Sequence, residues 1–500
     1  MRESAWKMGG PLHPPRSAAW TWLKLLAVLL SLAMLFYRLA NFELVSFILD
    51  EPFFLTAARG QVLTGHWVSA SPIQGTQGTT YGPTVLWFYG VVHWLFGSAP
   101  QTSILAMCLL VTLAHLAVAV ALTRSFREDA WFLAAMLAFI AASPYQFFWS
   151  RLAWDQMVNV CASLTVALLC LPGSLGWVRR VALGLVVGLA LSSHLMVLPL
   201  VALTCLVLAF EQRWQPKGVL VTLGPVLACA LLVNVPYLGF LREHPPQPPP
   251  VSGPFSWGVL GEHLLQPARV ASTWEIGYFF DQAWPDFLQW VGNPGRWLLE
   301  HAQWSVTALM VLSGLGLLFT LGARQTEQRR VAWLAVLSWL GYAAFYTYRQ
   351  LNREPHYQFP SWWLIAVGVA GALHVLRDRI PRWGAVATGA VLLVACGQFA
   401  MNVAWMRYIR ERGGTQGIHY SVPLSAQQTV VHRLCEEAQG QVFLENRTAL
   451  FPPSLGYVAQ TTPACQNVRL GLCAGWDCPQ GVPVRRLRYA GPVGGAVVLE

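Results

Sequence analysis

The sequence predicts an all-α polytopic membrane protein of about 11 transmembrane helices, with interfacial helices in the first outer loop and a small C-terminal exported domain of α/β character. Two observations carry this. Apolar residues make up 55% of the chain and charged residues 11%, with 24 Trp, which is outside the range of soluble domains. The apolar residues also fall in segments of about 20, the length that crosses a hydrocarbon core of about 30 Å. The formal charge of +10 does not point to nucleic acid, which would need basic residues gathered on one soluble face. They sit instead in short connectors between apolar segments, the pattern that orients membrane helices.

Taken in order, the basic, proline-containing leader MRESAWKMGGPLHPPRSAAW runs into an apolar segment from Trp20 to about Ala40. No small-residue cleavage site follows, so a retained signal-anchor with a cytoplasmic N-terminus is expected. Residues 41–101 form a long outer loop. It opens with FILDEPFFLTAARGQVLTGHW, passes through the glycine-rich SPIQGTQGTTYGP, and reaches TVLWFYGVVHWLF, which is short for a crossing and rich in the aromatic residues that favour the headgroup zone. Crossings follow at 102–123, 130–148 and 157–172.

The apolar run 181–210 is too long for one upright helix at 1.5 Å per residue and short for two. A break near LSSHLM, around His194, puts VRR (178–180) and EQRWQPK (211–217) on the same side. Five more crossings are expected at 218–238, 306–321, 331–347, 359–376 and 384–404. The inner segments so assigned hold about twice as many Lys and Arg as the outer loops over less than half their length, a positive-inside bias with the C-terminus outside.

Two outer pieces remain. Residues 241–305 open with LREHPPQPPP, a polyproline-like spacer or lid. The more polar 405–500 is set apart as an exported domain from a transmembrane domain of 1–404, and it carries Cys435, Cys465, Cys473 and Cys478. Four exported cysteines form two disulfides in any of three connectivities, or remain free thiols.

Asp50 and Glu51 thus stand side by side just outside the membrane. A carboxylate there caps a helix, meets solvent, binds a cation or takes a proton from a nucleophile. Asp155, in SRLAWDQ, lies in a second outer connector with Arg151 about one turn earlier, in ion-pair range of it. A third connector, YRQLNREPHYQFP, brings Arg349, Arg353, Glu354, His356 and Tyr357. Arginine forks suit phosphate oxygens, and carboxylates suit deprotonation or a divalent ion.

This order of features resembles the GT-C superfamily of integral-membrane glycosyltransferases, in the branch holding protein O-mannosyltransferases and lipid A aminoarabinose transferases. The resemblance spans about 40–240 and 345–375. It implies transfer of a sugar from a polyprenyl-phosphate carrier to a lipid, polysaccharide or protein acceptor, at the outer face of a bacterial inner membrane.

On this resemblance Asp50 is the general base with Glu51 its neighbour, and Asp155 is the second acidic site. Arg59, Arg151, Arg349, Arg353, His356 and Tyr357 serve the donor phosphate, GHW (65–67) matches a G-x-W, and His194 matches a histidine of some members. A divalent metal is optional. Two departures stand out. Tyr81-Gly82-Pro83 replaces a Lys-Pro-Pro-like element, with no lysine anywhere in 41–101, which weighs against aminoarabinose. No WWD signature occurs in 405–500, which weighs against en bloc transfer to asparagine.

The function expected is inverting transfer to an acceptor hydroxyl. Its rivals are a transporter or flippase of a polyisoprenoid-linked substrate, which needs charges near the bilayer centre in broken helices, and a scaffold whose exported part binds cell-wall polymer.

Overall fold

The computed structural model describes residues 18–47, 50–73, 80–245, 255–272, 277–280, 283–300, 303–323, 325–349, 357, 359–414, 422–438, 440–446, 452–473, 483–489 and 497–499. The chain is a multi-pass helical membrane protein carrying one small mixed sheet. Among the described residues, six helices are long and apolar enough to cross a membrane, and shorter apolar helices accompany them.

Helix α1 (Ala18–Arg38) leads through a 3-10 turn at Phe42–Leu44 to α2 (Glu51–Thr64). Pro52 in its first turn suits a helix start, and Gly65 stops it in the left-handed region at φ 69°. After α3 (Thr84–Phe96), α4 (Pro100–Ser125) is a full span.

The segment expected as one crossing at 130–148 is two helices, α5 (Ala130–Ala142) and α6 (Pro144–Trp149). Pro144 cannot continue the helix hydrogen bonding, and the Ser143 hydroxyl caps the new start by accepting from the Gln146 N–H. Helix α7 (Met157–Cys170) and α5 are too short to span alone, but both are buried on nearly every face, so neighbouring helices rather than lipid surround their ends.

The run 181–210 divides into α8 (Trp177–Ser193) and α9 (Leu198–Glu211), and the break falls at His194, whose backbone is extended. Helix α10 (Pro216–Glu243) follows. Most of 241–305 is helical: α11 (Trp257–Ala271), α12 (Gly277–Phe280), α13 (Trp284–Trp290) and α14 (Gly292–Glu300). The prolines of 246–250 lie outside the described residues.

Helices α15 (Gln303–Leu321), α16 (Thr326–Arg349) and α17 (Phe359–Arg379) complete the bundle with α18 (Pro381–Arg412), which runs past the expected end at 404. Helices α15 and α17 meet through small residues. A Cβ on Gly368 would lie 2.5 Å from the Ser313 carbonyl oxygen, and one on Gly316 would overlap the Gly368 backbone. Backbones this close exchange dispersion contacts that larger side chains would forbid.

Beyond the bundle come α19 (Leu424–Glu437), β1 (Gln441–Asn446), α20 (Pro452–Thr461), β2 (Arg469–Cys473), β3 (Val484–Tyr489) and β4 (Val497–Leu499). The sheet order is β2-β1-β3-β4, with β1 parallel to both neighbours and β4 antiparallel to β3. Cys435 is disulfide-bonded to Cys465, Cys473 is also in a disulfide, and Cys478 lies outside the described residues.

Candidate functional site

The acidic pair is built by two loops that close over each other. Asp50 precedes α2 in helical backbone geometry, and its carbonyl accepts from the Phe54 N–H at 3.0 Å. Its side chain makes no cap bond. It turns to the loop between α6 and α7, where Oδ2 accepts from the Trp154 indole Nε1–H at 3.0 Å. Glu51 beside it is buried in the first turn of α2, where the helix dipole favours a negative charge.

Trp154 is fixed from three sides. Its ring lies 4.8 Å from that of Trp149, and its carbonyl accepts from the Tyr89 hydroxyl at 3.0 Å and from the Gln156 N–H at 2.8 Å. Asp155 follows directly and is only 5% exposed. Neither of its carboxylate oxygens has a hydrogen-bond partner among the described residues. Burial, and then the negative charge of Asp50, push its pKa well above the ordinary range. Burial also raises Asp50, against the opposing pull of the Trp154 hydrogen bond.

An aromatic wall closes the site. The Tyr81 phenol is pushed up first by burial and then by the negative charge of Asp155 and smaller effects of Tyr357, Asp50 and Tyr237. Its ring lies 4.2 Å from that of His194, and His194 lies 6.5 Å from Tyr357. The loop carrying Tyr81 abuts α8 so closely that a Cβ on Gly82 would lie 2.5 Å from the Ser192 hydroxyl. The Tyr237 hydroxyl donates to the Thr80 carbonyl at 2.6 Å, and the Tyr346 hydroxyl donates to the Tyr357 carbonyl at 2.6 Å. Aromatic faces beside carboxylates are surfaces on which a sugar ring can stack while its hydroxyls meet acceptors.

The arginines divide. Arg151 donates to the Asn41 carbonyl at 2.5 Å, with Phe147 and Phe42 rings 4.7 and 5.3 Å from its guanidinium. Arg410 donates to the Asn41 side chain at 2.7 Å, so two cations pin the turn that delivers Asp50. Arg59 reaches Gln460 of α20, with bonds of 3.1 and 3.4 Å to its side chain and carbonyl. Arg349 ends α16 half-buried, while Arg353 and His356 lie outside the described residues.

The structure therefore gathers Asp50, Glu51, Asp155 and Tyr357 with Tyr81, Tyr89, Trp154 and His194, and it engages Arg59 and Arg151 elsewhere. Trp154 and Tyr89 carried no signal of their own in the sequence beyond adjacency to Asp155 and membership of an aromatic helix.

For a hard divalent cation, Asp155 and Asp50 offer the right oxygen donors. A second cluster, Glu128, His374 and Asp378, has ligand atoms within 4.8 Å of one another. There Arg377 already bonds Glu128 and Asp378, and His374 Nδ1 lies 2.8 Å from Glu128, which makes it an ion-paired clasp.

No protein-family model matches the chain, and no curated protein matches it. Among solved structures it is similar to ArnT from Cupriavidus metallidurans bound to undecaprenyl phosphate, with a TM-score of 0.50 and 14% identity over 91% of this chain and 90% of that one. The same ArnT in the apo state gives 0.46 and 15% identity over 92% and 87%. The archaeal oligosaccharyltransferase AglB from Archaeoglobus fulgidus, in complex with an inhibitory peptide and a dolichol-phosphate, gives 0.46 and 12% identity over 90% of this chain and 64% of that one. At such identity the likeness is one of fold: this chain shares the fold of the ArnT from Cupriavidus metallidurans that is bound to undecaprenyl phosphate.

Proposed function

We propose that the protein transfers a sugar from a polyprenyl-phosphate carrier to an acceptor hydroxyl at the outer face of the inner membrane, with inversion, and that Asp50 is the general base. The observation that carries this reading is the pairing of half-buried Asp50 with buried Asp155, brought together from separate loops behind an aromatic wall. ArnT from Cupriavidus metallidurans, with which this chain shares its fold, is bound to undecaprenyl phosphate in its solved structure, which supports a lipid-linked donor.

In this mechanism the acceptor O–H gives its proton to Asp50 as its oxygen bonds the anomeric carbon. The bond from that carbon to the carrier phosphate breaks, and the phosphate leaves with the electron pair. The Trp154 N–H occupies Oδ2 of Asp50, which aims Oδ1 at the acceptor. A raised pKa strengthens Asp50 as a base. Arg349 and Tyr357, with Arg353 and His356 in the same connector, receive the leaving phosphate; Arg151 and Arg59 act at a distance by holding the loop.

The test is transfer in liposomes from a panel of radiolabelled polyprenyl-phosphate sugars into envelope material, wild type against Asp50→Asn. The expected loss in turnover is at least ~10². Equal transfer by both proteins removes Asp50 from the chemistry, and carrier movement without transfer returns the flippase reading.

A further inference from the structure

At the end of the bundle opposite the carboxylates, a cleft of 880 Å³ opens between α9 and α16. Its walls are apolar: Leu206, Phe210, Trp333 and Leu337, with the Phe210 and Trp333 rings 6.4 Å apart. At its base Arg330 is buried and donates to Glu211 at 2.7 Å, so those two charges cancel. Two cations are left at the mouth. Arg213 and Arg329 are exposed and, among the described residues, make no ion pair and no side-chain hydrogen bond.

The mouth is also built rather than frayed. Arg213 and Trp214 both hold left-handed backbone, at φ 49° and 57°, an arrangement that costs free energy for residues with a side chain and persists only when surroundings impose it. Here the Arg213 and Trp214 N–H groups bond back to the Phe210 and Ala209 carbonyls at 2.9 and 3.2 Å. The turn folds the guanidinium and the indole over the cleft.

We propose that this cleft binds an anionic diacyl phospholipid, its phosphodiester between Arg213 and Arg329 and one acyl chain along Leu206, Phe210 and Trp333. Three features select that occupant. The cleft has a net charge of two positive at one end, and its remaining walls are apolar. Its volume suits a ligand of a few hundred to a thousand cubic ångströms. It opens beside two helices rich in apolar residues, with Trp214 at the level where indoles favour the headgroup zone. A soluble anion would leave the apolar walls wet, and a zwitterionic lipid would bring a cationic headgroup that offsets its phosphate beside two arginines. The site is independent of the transfer chemistry.

Native mass spectrometry of the full chain in neutral detergent reads this directly, with phosphatidylglycerol titrated against phosphatidylcholine of the same acyl chains. The wild type should retain phosphatidylglycerol roughly 10–30-fold more tightly, the effect of two basic side chains at a lipid phosphate. The R213Q/R329Q variant, altered only at exposed positions, should lose that preference while its thermal unfolding stays unchanged. Leu206→Trp should weaken both lipids by filling the chain groove.

Equal binding of the two lipids by the wild type, or a preference that survives in R213Q/R329Q, would overturn the proposal. Displacement of the lipid by glycerol phosphate would make it a free-phosphate site, and displacement by polyprenyl phosphate at equal concentration would make it a carrier site; either result refutes a phospholipid site.

Discussion

Trp154 sits between the two carboxylates in a way that pH can read. Its N–H holds the Asp50 pKa down against the upward push of burial. The proposed base must be ionised, so if Asp50 fills that role activity should fall as pH drops through its folded pKa. Trp154→Phe removes the restraint, and the acid limb of kcat/KM should move to higher pH; an unmoved limb would mean that Asp50 is not the titrating base. Asp155 invites a stability measurement instead. Its folded pKa is raised, so the folded state holds its proton where the unfolded state has lost it, and stability declines as pH rises from the ordinary carboxylate range towards the raised value. Asp155→Asn cannot ionise, so its unfolding free energy should gain on the wild type as pH rises from acid to neutral, by about 1–3 kcal/mol at the top of that window. Both acids were legible as outward carboxylates in separate connectors. Expecting Arg151 near Asp155 failed physically, because residues 150–156 are a chain of turns rather than a helix, and Arg151 is drawn to Asn41.

Helix packing is read less easily from a single chain than helix position. The break at His194 followed from length and charge alone, since a hydrocarbon core sets how many residues can cross. The break at Ser143–Pro144 was equally written in the residues, but an unbroken apolar run obscured it. The contact between α15 and α17 left only a scatter of glycines, which becomes meaningful once the two helices are face to face. Gly368→Val should push these helices apart and cost about 1–3 kcal/mol in a thermal-unfolding assay, whereas Gly239→Ala, inside α10 where a Cβ meets nothing within 4 Å, should hold or slightly raise Tm. Gly82→Ala should act more locally. It forces Tyr81 away from Ser192, so KM for the donor should rise with little change in Tm.

On the scale of the molecule, the first loop and the C-terminal segment share one core. Phe47, Phe54, Leu55 and Leu86 pack in a single cluster with Leu424, Val431, Leu434 and Val458. A sequence boundary at 404 separates them on paper, because composition changes there; only the fold shows that the polar segment keeps an apolar face for α2 and α3. The Cys435–Cys465 bond staples that face across 30 residues, and Cys435→Ser should lower stability by about 3 kcal/mol and reduce turnover with it, measured by unfolding and transfer on the same preparation. Ser46 bridges Pro423, the Leu424 N–H bonds the Val45 carbonyl at 2.9 Å, and Gln427 donates to the Phe47 carbonyl at 3.1 Å across 380 residues of chain. A ribosome makes these partners in that order. The segment leading to Asp50 emerges early and the residues that brace it exist only once translation has reached α19, so an interrupted nascent chain carries Asp50 without that support.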